Sequence, residues 1–143
     1  MKSLFLPLAL AGGALVLSAQ QCSSGGGGGA KAAVEPARLQ RTWLHAHEED
    51  HGDTVVFRPN TYAFPPSRGR TGFKVESGGT LIQYDIAPTD GLEEHKGTWR
   101  FDKDTFHATF PDKSSADYRL RILHLDDQRL EAVRTFVGTS SSD

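Results

Sequence analysis

The chain has 143 residues, with 18 acidic and 16 basic side chains and a formal net charge of −2. Acidic and basic residues are interspersed without a broad basic tract, which argues against nucleic acid and anionic membrane as partners. A single cysteine, Cys22, excludes an intramolecular disulfide, and the chain beyond it has the length of one small domain with one core.

Met1-Lys2 leads into an apolar run from Leu4 to Leu17, relieved by Pro7 and glycines, and small residues follow at Ser18-Ala19. The run is shorter than the ~20 apolar residues a spanning helix needs, so the pattern is that of a secretory signal, not a membrane anchor. Cys22 comes directly after it. This segment resembles a bacterial lipoprotein signal, in which the cysteine becomes the lipidated first residue of the mature chain. The resemblance implies a signal peptide over 1–21, lipidation at Cys22 and a cell-envelope location, in the periplasm or at the outer membrane. Ordinary cleavage after Ala19, leaving a free thiol, is the alternative. Stable anchoring takes more than one acyl chain. Ser23-Ser24 and Gly25 to Gly29 behave as a flexible coil, so 22–35 reads as a tether.

The folded domain is expected over 36–137, with a disordered tail at 138–143. Pro36 to Arg41 suits a helical turn, proline near its start costing no hydrogen bond. Short runs rich in β-branched and aromatic residues then alternate with Gly, Pro, Asp, Asn and Ser clusters. They are Thr42 to Glu48, Thr54 to Arg58, Thr71 to Glu76, Thr80 to Ile86, Gly97 to Phe101, Thr105 to Phe110, Asp117 to Leu125 and Arg129 to Phe136. Ser77-Gly78-Gly79 marks a hairpin, while Ala87 to Lys96 reads as a loop. Phe106, Ala108 and Phe110 fall on one face and Thr105, His107 and Thr109 on the other, a period of two. Such strands predict an all-β, eight-stranded antiparallel up-and-down barrel, closed by the last strand pairing with the first, because closure removes exposed edges. A two-layer sandwich is the competing architecture. Trp43, Phe57, Phe73, Tyr84, Trp99, Phe101, Phe106 and Phe110 are candidates for the interior.

Arg41-Thr-Trp43-Leu-His45-Ala-His47-Glu-Glu-Asp50 holds the densest cluster of ionisable groups next to a buried-type ring. On an extended strand Trp43, His45, His47 and Glu49 share a face, running from a packed floor to a wet rim. Histidines two apart, with Glu49 or His51 as a third ligand, could converge on zinc or copper; histidines that are solvated or satisfied by carboxylates are the commoner state. Metal therefore enters as a weak candidate at His45, His47 and His51. Glu48, Glu49 and Asp50 are complementary to Arg68 and Arg70 in the loop Pro65 to Arg70. Bidentate carboxylate–guanidinium pairs would brace the mouth, or leave an arginine free for an anionic head group. His47, Glu49, Arg68 and Arg70 are thus expected to line or brace the mouth. Ser67 has no serine-hydrolase elbow and Glu93-Glu94 point apart if extended, so no enzyme is expected, and no cofactor.

A helical turn, a first strand opening with Trp43, eight meandering strands and Arg134 in the last resemble a small lipocalin-like barrel of the kind found in bacterial lipoproteins. His47-Glu-Glu-Asp50 together with Pro65 to Arg70 is similar to a pattern in uncharacterised lipocalin-like proteins. The resemblance implies that Trp43 plugs the closed end as a structural floor with Arg134 across its face, and that the barrel binds a small apolar or amphipathic ligand. A filled barrel would instead be a protein-interaction or inhibitor module, using Tyr62 to Arg70 or Ala87 to His95. Interior volume decides between the two, a ligand needing ~300 Å3 or more.

Overall fold

The computed structural model describes residues 33–138. The signal segment, Cys22, most of the glycine-rich tether and the end of the tail lie outside the described residues. A 3-10 turn at Pro36–Leu39 precedes eight strands: β1 (Thr42–His45), β2 (Thr54–Pro59), β3 (Gly72–Val75), β4 (Thr80–Ile86), β5 (Leu92–Asp102), β6 (Thr105–Thr109), β7 (Tyr118–Leu125) and β8 (Leu130–Phe136). The sheet closes on itself with every neighbour antiparallel, so the eight-stranded all-β barrel is the architecture.

The closure differs from the one expected. β8 pairs with β2, and β1 lies between β2 and β3, so β3 to β8 form the meander and the β1–β2 hairpin is inserted in reverse order. Trp43 consequently faces Pro59 on one side and Phe73 on the other. β1 is also shorter than expected. It stops at His45, and His47–Glu49 form a second 3-10 turn, so His45, His47 and Glu49 do not share a strand face. β5, conversely, is longer, because Glu93-Glu94-His95-Lys96 are strand residues paired with β4. Pairing with β6 begins only at Thr98, leaving the first half of the β4–β5 hairpin projecting past the barrel wall.

The interior is filled by rings. His45, Phe57, Phe73, Phe106 and Trp99 follow one another across it, with successive ring centres 5.4, 5.1, 5.7 and 5.8 Å apart. Leu81, Phe110, Leu120, Ile122, Leu130 and Ala132 complete the core. Tyr84 is not part of it. Inward positions on β4 belong to Leu81 and Gln83, and Tyr84 turns outward between Lys74 and Glu94.

At one end Leu39 and Trp43 are fully buried, and the indole N–H donates to the Leu39 carbonyl at 3.1 Å, which docks the first turn as a plug. The guanidinium by Trp43 is that of Arg41, 5.5 Å from the ring, not that of Arg134. Arg134 is two positions past Ala132 on the inward face of β8, toward the opposite end, and stacks against Phe57, Tyr118 and Phe136 at 5.3, 5.9 and 6.0 Å. The reversed hairpin order and the direction of β8 separate it from Trp43. The second tryptophan repeats the device of the first: the Trp99 N–H donates to Glu76 O at 2.8 Å and ties β5 to the β3–β4 turn.

Gly97 lets Phe110 enter the core, since a Cβ there would meet Thr109 O at 2.6 Å and the Phe110 ring at 2.8 Å. Overpacking of this kind costs about 1–3 kcal/mol. Gly97→Ala is therefore expected to lower the thermal midpoint, whereas Gly91→Ala, with nothing within 4 Å of the added carbon, should leave it within scatter; calorimetry of both variants checks this.

Candidate functional site

Because β1 lies between β2 and β3, the chain leaving β2 at Pro59, beside Trp43, must return along β1 to start β3 at Gly72, beside Leu44. Residues 60–71 are this return strap. Two arginines hold it. Arg58 lies 4.8 Å from the Tyr62 ring and Arg70 4.5 Å from the Phe64 ring, and those two rings meet edge to face at 5.0 Å. Each pair gains ~0.5–2 kcal/mol, more where water is excluded.

The same arginines grip the second 3-10 turn. Arg58 Nε and Nη2 both donate to the Glu49 carboxylate at 2.6 Å, and Arg58 Nη1 donates to Gln128 O at 3.0 Å. Arg70 makes a two-point contact with Glu48, one arm at 3.0 Å, and also donates to His45 O and Pro65 O at 3.2 and 3.0 Å. Asp50 secures the far end of the turn by accepting from the Val56 N–H at 2.8 Å. The turn thereby folds back over the outer wall. Val56 and Ala46 are buried beneath it, yet outside the core cluster.

Of the acid–base braces expected from the sequence, Glu48 with Arg70 is formed. Glu49 is taken by Arg58, an outward residue of β2 whose alternation with Phe57 was the available signal. Arg68 is exposed and has no ion-pair partner among the described residues. Glu48, Glu49 and Arg70 clamp the second 3-10 turn to β2 and the strap, because the chain leaves strand geometry at Ala46. His47 is 60% exposed, and His51 Nδ1 lies 3.1 Å from Glu49 O. His45 turns inward, its Nε2 2.8 Å from Asp50 Oδ2. Burial pushes the His45 pKa down against the pull of that carboxylate. Among the described residues no three His, Cys, Asp or Glu side chains converge as metal ligands.

At the Arg134 end a polar network crosses the interior. Tyr118 donates its hydroxyl to Gln83 at 2.9 Å, Gln83 donates to Asp85 at 3.0 Å, and Ser115 reaches Asp85 at 3.4 Å from the β6–β7 loop. Burial raises the Tyr118 hydroxyl far above the ordinary phenol range, so it remains a donor. The space left among Phe57, Phe73, Gln83, Tyr118 and Arg134 is about 10 Å3, the size of one water molecule. A hollow of about 480 Å3 lies on the outside, beside Val34 and Leu125, where the chain enters from residues outside the description.

The two loops named from sequence are neighbours. Gly69 has φ of +147°, open to glycine, and a Cβ there would lie 3.7 Å from Ile86 Cγ1. Ile86 is 46% and Leu92 63% exposed, paired across the projecting hairpin beside the strap. From Leu92 to Lys96, β5 has β4 on one side and no paired strand on the other. Comparison with known proteins gives no match, whether with family models, curated proteins or solved structures.

The guanidinium at Arg70 holds the Glu48 carboxyl at about 2, against its ordinary 4.5. Arg58 lowers Glu49 in the same sense. A depressed carboxylate stabilises the fold fully above its ordinary value and progressively less as pH falls toward the depressed one. Glu48→Gln with Glu49→Gln should thus be less stable than the parent at neutral pH and should lose less stability between pH 4.5 and 2; urea titrations across that range measure both.

Proposed function

We propose that this domain is an interaction module, a filled lipocalin-like barrel hung in the cell envelope from a lipid at Cys22. It presents the strap and the β4–β5 hairpin to a protein partner. The supporting observation is the interior: the space among Phe57, Phe73, Gln83, Tyr118 and Arg134 is about 10 Å3, against the ~300 Å3 that a small-molecule pocket needs. The resources for binding lie outside instead. Ile86 and Leu92 offer apolar area, Arg68 a cation unpaired among the described residues, and the edge of β5 without a paired strand a row of backbone donors and acceptors that another chain could extend. Glu93, Glu94 and Lys96 on that edge discourage indiscriminate pairing, so the partner must supply matching charges as well as an apolar contact. Its chemistry is accordingly an exported protein with an apolar side chain for Ile86 and Leu92 and a carboxylate for Arg68. The long Gly/Ser tether suits this role, since it lets a rigid surface search a radius without bending the fold.

A photo-crosslinker at Thr89, inside the hairpin turn, should capture one discrete envelope protein in the native host, and Ile86→Asp with Leu92→Asp should abolish the adduct while leaving the circular dichroism unchanged. A small molecule retained one per barrel in native mass spectrometry of the purified protein would overturn the reading.

A further inference from the structure

We infer a second site, for a phosphate-type oxyanion, on the outer wall of β5, β6 and β7. It is built by strand register. Arg100 pairs with His107 across β5–β6, and His107 with Arg119 across β6–β7, so the three stand in one cross-strand row; Arg121, two along from Arg119, shares its face. Neighbouring strands lie ~4.8 Å apart, which lets these long side chains converge on one anion. Lys103 joins them from the β5–β6 turn.

The arginines elsewhere on the surface are mostly spoken for: Arg38 and Arg41 by Asp127, Arg58 by Glu49, Arg70 by Glu48 and Arg129 by Glu131. Among the described residues Lys103, Arg119 and Arg121 have no ion-pair partner, and Arg100 only the His107 ring, its Nη2 3.3 Å from Nδ1. Arg100, Lys103, Arg119 and Arg121 outnumber the two carboxylates beside them, Asp102 and Asp104, so the wall carries an excess of positive charge that a multivalent anion offsets. A hollow of about 400 Å3 lies against Lys103, Arg119 and Arg121, lined also by Thr105, His107 and Thr135, with Asp102 and Asp104 closing one side; Arg100 stands across His107 from it. Threonine hydroxyls among arginines supply neutral donors suited to phosphate oxygens. The two carboxylates bar a large polyanion from that side and favour a compact head group.

His107 reports occupancy. Partial burial and the charges of Arg100 on β5 and Arg119 on β7 lower its pKa, against Asp102 on β5. The neutral ring accepts from Arg100. An oxyanion seated in the hollow beside His107 and Arg119 adds negative charge there and must raise the His107 pKa.

The shared chemistry is a phosphate group, whether free or on a phospholipid at the membrane to which the domain is tethered. The chain carrying Cys22→Ser, which removes any contribution from a lipid anchor, is titrated with inorganic phosphate while His107 is followed by NMR. The same chain is sedimented with phosphatidylglycerol vesicles and with phosphatidylcholine vesicles. A saturable rise in the His107 pKa, weakened about tenfold or more in Arg119→Gln with Arg121→Gln, is expected. It should be retained in part by the double lysine variant and unaffected by Arg41→Gln. Retention on phosphatidylglycerol that phosphate competes away identifies a lipid source; saturation without retention identifies a soluble one. No shift and no retention, or binding that survives the double glutamine variant, overturns the site. None of these readings depends on the hairpin, so Ile86→Asp with Leu92→Asp must leave them unchanged.

Discussion

The pairing of β1 on both sides is the constraint from which the rest of the molecule follows. A strand whose neighbours are β2 and β3 forces the chain between them to travel back along its length, and an irregular segment laid over a barrel wall exposes its backbone unless something holds it. Arg58 and Arg70 do so by serving several partners each, among them a ring of the strap and a carboxylate of the second 3-10 turn. A lysine could supply the charge but neither the stacking face nor the two-point contact. The strap, the turn and the strands beneath them are therefore one mechanical unit, and the acid sensitivity of Glu48 belongs to that unit as a whole.

What the sequence made legible was local. Period-two alternation located all eight strands, and β4 to the residue, because each strand has one face in the core and one in water. Neighbour order was not legible, since inserting the β1–β2 hairpin in reverse leaves every strand's own alternation unchanged. The missed half of β5 has a similar cause. Glu93, Glu94 and Lys96 are exposed and His95 alone is half-buried, so the polar run carries no apolar alternation to mark it as a strand. Tyr84 was placed inside from ring size alone, although Leu81 and Gln83 set the phase of β4 and make Gln83 the inward residue. The predicted bracing of Glu48 by Arg70 rested on charge complementarity between nearby segments and was legible. The choice of Arg58 over Arg68 for Glu49 required knowing that the turn folds back onto β2.

Net charge was the least informative quantity of all. A value near zero is compatible with complete pairing everywhere, or with pairing on one side and unpaired cations on the other. The described residues have the second arrangement. The register of β5, β6 and β7 gathers Arg100, Arg119 and Arg121 with only Asp102 and Asp104 beside them, while Glu48, Glu49 and Asp127 are engaged by arginines elsewhere. An average over the sequence cannot show such a separation, because it arises only once strands are placed side by side.

A barrel packed with rings has a consequence for how it can bind. Filling the interior removes the flexible wall that a ligand-carrying barrel must keep, and adds close packing that resists deformation. The outer loops are then presented on a stiff frame, with Ile86 of the hairpin beside Gly69 of the strap. Binding through preordered loops avoids the entropy cost of arranging them on contact, so a modest surface can be sufficient. The polar network of Tyr118, Gln83 and Asp85 suits the same end. It ties β7 to β4 across the barrel, and Ser115 draws the β6–β7 loop to Asp85, so this end of the barrel is braced across its interior.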